Sequence, residues 1–86
     1  MEIEIKEREN KGFAIAHEQS TKVGMISYSI SGSNFIIIDH TEGIGKKLLY
    51  TIIEMARRKN LKILPLCPFA SAMFKKLDDI RDVLKP

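Results

Sequence analysis

The hydrophobic period of this 86-residue chain changes once, near residue 42, from two to about 3.6, which confines it to folds that begin with strands and finish with helices. Upstream of that point Ile3 and Ile5 alternate with Glu2, Glu4 and Lys6. Asn10-Lys11-Gly12 then supplies turn chemistry before Phe13-Ala14-Ile15-Ala16, the pattern of a hairpin. After a polar turn over residues 19–22, Val23 and Met25 are followed by Ile26, Tyr28 and Ile30, a slip of phase that a β-bulge accommodates. Ser31-Gly32-Ser33-Asn34 closes that strand. The continuous run Phe35-Ile36-Ile37-Ile38 predicts a central strand covered on both faces by helices.

Downstream, Ile44, Leu48, Leu49, Ile52, Ile53 and Ala56 recur at helical spacing with Lys46, Lys47, Glu54, Arg57 and Arg58 elsewhere on the cylinder, and Asn60 is a fitting end. Lys62-Ile63-Leu64-Pro65-Leu66-Cys67 predicts a short strand, parallel to the preceding one through a right-handed crossover. Pro65 has no N–H to give to a ladder, so this strand lies at an edge or diverges from its neighbour there. Pro68 opens a second helix over Phe69, Ala70, Met73, Phe74 and Leu77. Ile80, Val83 and Leu84 either continue it or form a separate turn. The expected order is four strands, helix, strand, helix.

A chain of 9.8 kDa has room for one domain, residues 1–86, and for one modest core. Area scaling gives about 5,200 Å² exposed when folded and about 14,000 Å² unfolded, which argues against a deep, enclosed active site. No apolar run spans a bilayer, and the N-terminus lacks the basic-then-apolar order of a signal peptide. The lone Cys67 has no internal disulfide partner and suits a reducing compartment, so the expected location is cytoplasmic. The net charge of +3 is unevenly spread: residues 1–42 carry four cations against seven anions, and residues 43–86 ten against four. A compact anion fits the second half. The basic run Arg57-Arg58-Lys59 matches a helix C-terminus, and without interleaved exposed aromatics nucleic acid is not the expected partner.

The chemistry-bearing positions cluster where the period changes. A helix start leaves backbone N–H groups unpaired and carries partial positive charge, so Gly43-Ile44-Gly45-Lys46-Lys47 forms a potential phosphate site. The glycines let backbone approach oxygen. Lys46 and Lys47 oppose the helix dipole, so they are either phosphate contacts or a solvated basic face. Cys67 is either a small buried hydrophobe or a nucleophile, the second requiring a lowered pKa from the helix starting at Pro68 or from a base such as His40. His40 itself is either catalytic or structural, and His17 belongs to the sheet surface. Tyr28 and Tyr50 read as packing residues, although one tyrosine could protonate a departing thiolate. Two histidines and one cysteine without CxxC or HExxH spacing make a zinc site improbable, and neither a nucleophile elbow nor a Walker loop is present.

Ile36-Ile37-Ile38-Asp39-His40-Thr41, then Gly43-Ile44-Gly45-Lys46-Lys47-Leu48, then Leu64-Pro65-Leu66-Cys67-Pro68-Phe69-Ala70 resemble, in that order, the short single-domain members of the GNAT superfamily of acetyltransferases. The resemblance runs from about Tyr28 to Val83. It implies an α+β, three-layer fold: a mixed, mostly antiparallel sheet of about five strands, splayed between strands 4 and 5, with two main helices. It further implies acetyl-CoA in the splay, oriented by Ile38, Asp39 and the His40 backbone, with its diphosphate on residues 43–47, further contacts from Phe69 and Phe74, and Cys67 and His40 at the catalytic end. One departure stands out. The family places a longer loop with a glutamine- or arginine-containing signature between the histidine-threonine strand end and the helix, whereas only Glu42 separates Thr41 from Gly43 here. Glu42 would set a negative charge beside the phosphates. The expected activity is acetyl transfer to a small amine or a protein lysine, directly or through Cys67, by a monomer or weak dimer. The alternatives are a CoA-binding module that no longer turns over and, less so, a small basic nucleic-acid binder.

Overall fold

In a computed structural model that describes residues 1–32 and 34–85, four strands form an antiparallel meander: β1 (Glu2–Arg8), β2 (Lys11–Glu18), β3 (Thr21–Ser31) and β4 (Phe35–Gly43). Helix α1 (Lys46–Lys59) then crosses to β5 (Lys62–Pro65), which pairs with β4 in parallel. Helix α2 (Pro68–Lys76) and a separate 3₁₀ helix (Asp78–Val83) follow. The sheet order is β1-β2-β3-β4-β5. Ser33 of the β3–β4 turn and Pro86 lie outside the described residues. Among the described residues no helix is long and apolar enough to cross a membrane.

Local sequence accounts for the joints. Gln19 and Ser20 both take positive φ, 47° and 69°, the paired left-handed geometry of a tight hairpin turn. Ala16 pairs with Gly24 but His17 with Lys22, so Val23 is an extra residue in β3. The apolar slip between Met25 and Ile26 carries no bulge: Met25 faces Ile15 and Ile26 faces Ala14 on opposite faces of a regular strand. A second extra residue is Asp39 in β4, since Ser27 faces His40 whereas Tyr28 faces Ile38. Helix α1 buries Leu48, Leu49, Ile52, Ile53, Met55 and Ala56, and ends where Asn60 adopts φ 60°, its N–H turned back to the Arg57 carbonyl.

Every buried strand residue lies on one face of the sheet: Ala14 and Ala16 of β2, Ile26 and Tyr28 of β3, Ile36 and Ile38 of β4, and Ile63 of β5. The alternate residues, including Phe35, Ile37 and Leu64, are only half-buried. The expectation that β4 is covered on both faces is therefore corrected: α1, α2 and the 3₁₀ helix add one layer, not two, and the other face stays open. Isoleucine suits either face of a pleated strand, so an unbroken run does not reveal which face is covered. The 3₁₀ helix is fixed to α1 by Arg57, whose guanidinium reaches Asp82 at 2.8 and 3.0 Å, Glu54 at 2.7 Å and the Asp79 carbonyl at 2.7 Å.

Candidate active site

The parallel ladder between β4 and β5 is short. It ends at Ile38 opposite Pro65, while β4 continues to Gly43. Proline cannot donate the next ladder bond, so β5 turns away, and the N–H groups of Leu66 and Cys67 converge on the Ile38 carbonyl at 3.2 and 3.3 Å. Beyond that point, among the described residues, no strand pairs with β4 on the β5 side. The sheet therefore opens into a wedge with outer β4 on one wall and the start of α2 on the other.

Cys67 sits at the closed end of the wedge. It is the residue preceding Pro68, its backbone is extended (φ −71°, ψ 134°), and only 6% of its surface is exposed. Its thiol lies 3.3 Å from the Thr41 hydroxyl, to which it donates while protonated. Burial pushes the Cys67 thiol up, but hydrogen bonding from the Thr41 hydroxyl and from backbone groups of Ala70, Phe69 and Thr41 outweighs it, so the group ends below an ordinary thiol. A thiolate at the start of a helix gains from the same dipole that attracts phosphate.

His40 is not beside Cys67. The bulge at Asp39 inverts the alternation of outer β4, so Thr41 shares a face with Ile26 and Ile38, whereas His40 faces Ser27 on the open side. Its side chain is 63% exposed and lies 3.7 Å from Glu42. The expectation that His40 activates Cys67 is corrected for that reason, and Thr41 takes the neighbouring place. Glu42, opposite Met25, also belongs to the open face, so its charge is directed to His40 rather than to the start of α1.

At the open end, a cleft of about 480 Å³ is lined by Ile44, Gly45, Lys46, Lys47 and Phe69, with Met1 and Glu18 closing it. Helix α1 begins here with no side-chain cap and no acidic residue in its first turn. Its first internal bond is Leu49 N–H to the Gly45 carbonyl at 2.8 Å, which leaves the N–H groups of Lys46, Lys47 and Leu48 without an acceptor inside the helix. Gly43, at φ 67°, makes the turn. A Cβ on it would stand 2.1 Å from the Val23 carbonyl oxygen, so only glycine lets β4 pass this close to β3. Gly45 packs between Thr41 and Phe69, where a Cβ would meet their carbons at 2.7 and 2.8 Å. That contact joins the cleft to the Thr41–Cys67 pair.

Of the other residues expected to bind a cofactor, Asp39 accepts a hydrogen bond from Ser29 at 2.8 Å, and Ile38 is buried with its carbonyl already engaged. Phe74 is 2% exposed and belongs to the core beneath α2, not to the cleft. Met1 and Glu18 were not foreseen. They reach the cleft because β1–β2 pairing sets Glu2 against His17, and the terminal ammonium lies 3.5 Å from Glu18, contacts that no local motif carries.

Residues 12–83 match the family model of GCN5-related N-acetyl-transferases. The chain belongs to that family. A GCN5-like protein from Staphylococcus aureus, solved by NMR and with N-acetyl transfer as its proposed activity, is 40% identical over 95% of this chain and 87% of its own, with a TM-score of 0.71. No curated protein matches. Family membership gives the wedge and the uncapped helix start a common context, as the family generally uses acetyl-CoA.

Proposed function

We propose that this protein is an acetyl-CoA-dependent N-acetyltransferase whose donor lies along the β4–β5 wedge, diphosphate against residues 43–47 and thioester beside Cys67. One arrangement carries the reading: an uncapped, acid-free helix start bearing Lys46 and Lys47 stands at one end of the wedge and a thiol of lowered pKa at the other. Among the described residues no strand pairs with outer β4 on the wedge side, so its backbone groups at residues 39 and 40 are the natural partners for amides of the donor's arm. The acceptor is an amine, on a small molecule or an exposed lysine.

Attack of the neutral amine on the thioester carbonyl forms a C–N bond and breaks the C–S bond, with a proton leaving nitrogen and one reaching the CoA sulfur. The setting of Cys67 favours a two-step version. Its thiolate takes the acetyl group and CoA leaves as a thiolate that takes a proton from solvent; the neutral amine then takes the acetyl from the Cys67 sulfur, giving a proton to solvent and restoring the thiolate. Thr41 and the start of α2 stabilise that thiolate. His40, exposed on the other face, remains a candidate to accept the ammonium proton through water only in the direct route.

Calorimetric titration with acetyl-CoA tests the binding. The parent chain should bind in the micromolar range and a Lys46→Ala/Lys47→Ala variant more weakly; absence of binding up to millimolar ligand would refute the proposal. Mass spectrometry of the chain incubated without amine should find an acetyl group that Cys67→Ser abolishes, and its persistence in the serine variant would exclude the two-step route. The two-residue connection of Ile44 and Gly45 favours one second reading, a module that binds CoA without turnover. Binding without release of free CoA against a panel of amines would select it.

A further inference from the structure

Strand β1 is an edge strand. Antiparallel geometry turns the backbone groups of every second residue away from β2, so one side of the ladder is unpaired. Charged residues on such an edge ordinarily deter a second copy, but the charges here are ordered. Glu2, Glu4, Lys6 and Arg8 share the open face of the sheet, acidic at one end and basic at the other. Their cross-strand neighbours on β2 are His17, Ile15, Phe13 and Lys11, none of which offers an opposite charge to Glu4, Lys6 or Arg8. Among the described residues none of these four takes part in an ion pair. The two halves of β1 also border separate hollows. One of about 530 Å³ is lined by Glu2, Ile3, Glu4, His17 and Ser20, the other, of about 550 Å³, by Lys6, Glu7, Arg8, Glu9, Lys11 and Phe13.

We propose that β1 is a self-association edge that pairs antiparallel with β1 of a second copy, centred on Ile5. A two-fold axis normal to the sheet keeps both helical layers on one side, and opposite residues must then share a face, so the axis passes through a residue rather than between two. Centring on Ile5 sets Glu4 opposite Lys6 and Glu2 opposite Arg8, each twice, and brings the hollow bordered by Glu2 and Glu4 of one copy to the hollow bordered by Lys6 and Arg8 of the other. It also sets Ile5 against its equivalent, and that residue is 37% exposed in the single copy. Centring on Glu4 or Lys6 places like charges on the axis, and centring on Ile3 or Glu7 sets Glu2 against Glu4 or Lys6 against Arg8. The Ile5 register alone matches every charge on that face.

Charge reversal tests the proposal, because these side chains lie on an open, exposed face and their replacement leaves the core intact. Sedimentation equilibrium of the full chain from about 10 µM to about 1 mM should show a monomer–dimer equilibrium, weakened roughly tenfold or more by raised salt. The all-acidic variant Lys6→Glu/Arg8→Glu and the all-basic variant Glu2→Lys/Glu4→Lys should each be monomeric with unchanged circular dichroism. An equimolar mixture should restore the dimer as a mixed pair. A parent that stays monomeric throughout, variants that dimerise as the parent does, or a mixture that remains monomeric would each overturn it.

Discussion

Two glycines share one backbone conformation in different surroundings, and their alanine variants separate two costs at the candidate site. Gly32 has φ 60° and nothing within 4 Å of an added Cβ, whereas Gly43 has φ 67° and its Cβ would stand 2.1 Å from the Val23 carbonyl oxygen and 2.9 Å from Gly24 Cα. Both alanines meet the left-handed penalty of about 1–2 kcal/mol. Gly43→Ala also forces two backbones apart, an overpacking term of about 1–3 kcal/mol, and disrupts the bond from Ile44 N–H to the Val23 carbonyl at 3.2 Å, worth about 1 kcal/mol. The expected losses are about 1–2 kcal/mol for Gly32→Ala and about 3–6 kcal/mol for Gly43→Ala. With a urea slope of about 1.5 kcal/mol/M, the unfolding midpoint should fall by about 1 M in the first and about 2–4 M in the second, the slope unchanged. Against a total of about 4–13 kcal/mol for a chain of this length, the second variant stands close to unfolding at working temperature. Equal midpoints for the two variants would refute the claim that close backbone approach, rather than turn geometry alone, requires glycine between β4 and α1.

Two further outcomes follow from the titrating groups. Burial, and then the Glu7 carboxylate that accepts the Tyr28 hydroxyl at 2.8 Å, holds the Tyr28 phenol well above the usual tyrosine range; its stabilisation is complete below about pH 10 and is lost as pH rises toward the folded value, so Tyr28→Phe should lose about 0.5–1.5 kcal/mol at neutral pH and show a flatter alkaline limb in thermal melts from pH 8 to pH 11. Thr41→Val removes the hydroxyl that stabilises the Cys67 thiolate, so the rate of Cys67 alkylation by iodoacetamide should rise with pH around a higher midpoint than in the parent, and an unmoved midpoint would deny Thr41 that role.

The element order was legible because each joint has a chemical signature within a few residues: the polar turn over residues 19–22, Asn60 at the end of α1, and Pro65 at the point where β4 and β5 part. The open face was not. Phe35 and Ile37 on it are as apolar as Ile36 and Ile38 beneath the helical layer, and only tertiary packing tells them apart. Phe74 was misplaced for a related reason, since an aromatic near a cleft and an aromatic in a core have the same local pattern.

The placement of His40 turns on a single residue. In an unbroken strand Ile36, Ile38 and His40 share one face, which would carry the imidazole toward Cys67 and leave Thr41 on the other side. Asp39 is the extra residue that reverses this. It exchanges a titratable neighbour of the thiol for a hydroxyl, which stabilises a thiolate by hydrogen bonding but takes no proton at neutral pH. The bulge thus places beside the thiol a hydroxyl that lowers its pKa by hydrogen bonding, and keeps the imidazole on the opposite face. The short strand-to-helix connection acts in the same direction. With only Ile44 and Gly45 between β4 and α1, and Ile44 tied to Val23, the helix start is fixed to the sheet through backbone, and Gly45 passes that rigidity to Thr41 and Phe69 by direct contact. The helix start that carries Lys46 and Lys47 and the Thr41–Cys67 pair are therefore joined by direct packing, although the two lysines and the cysteine are far apart in the chain.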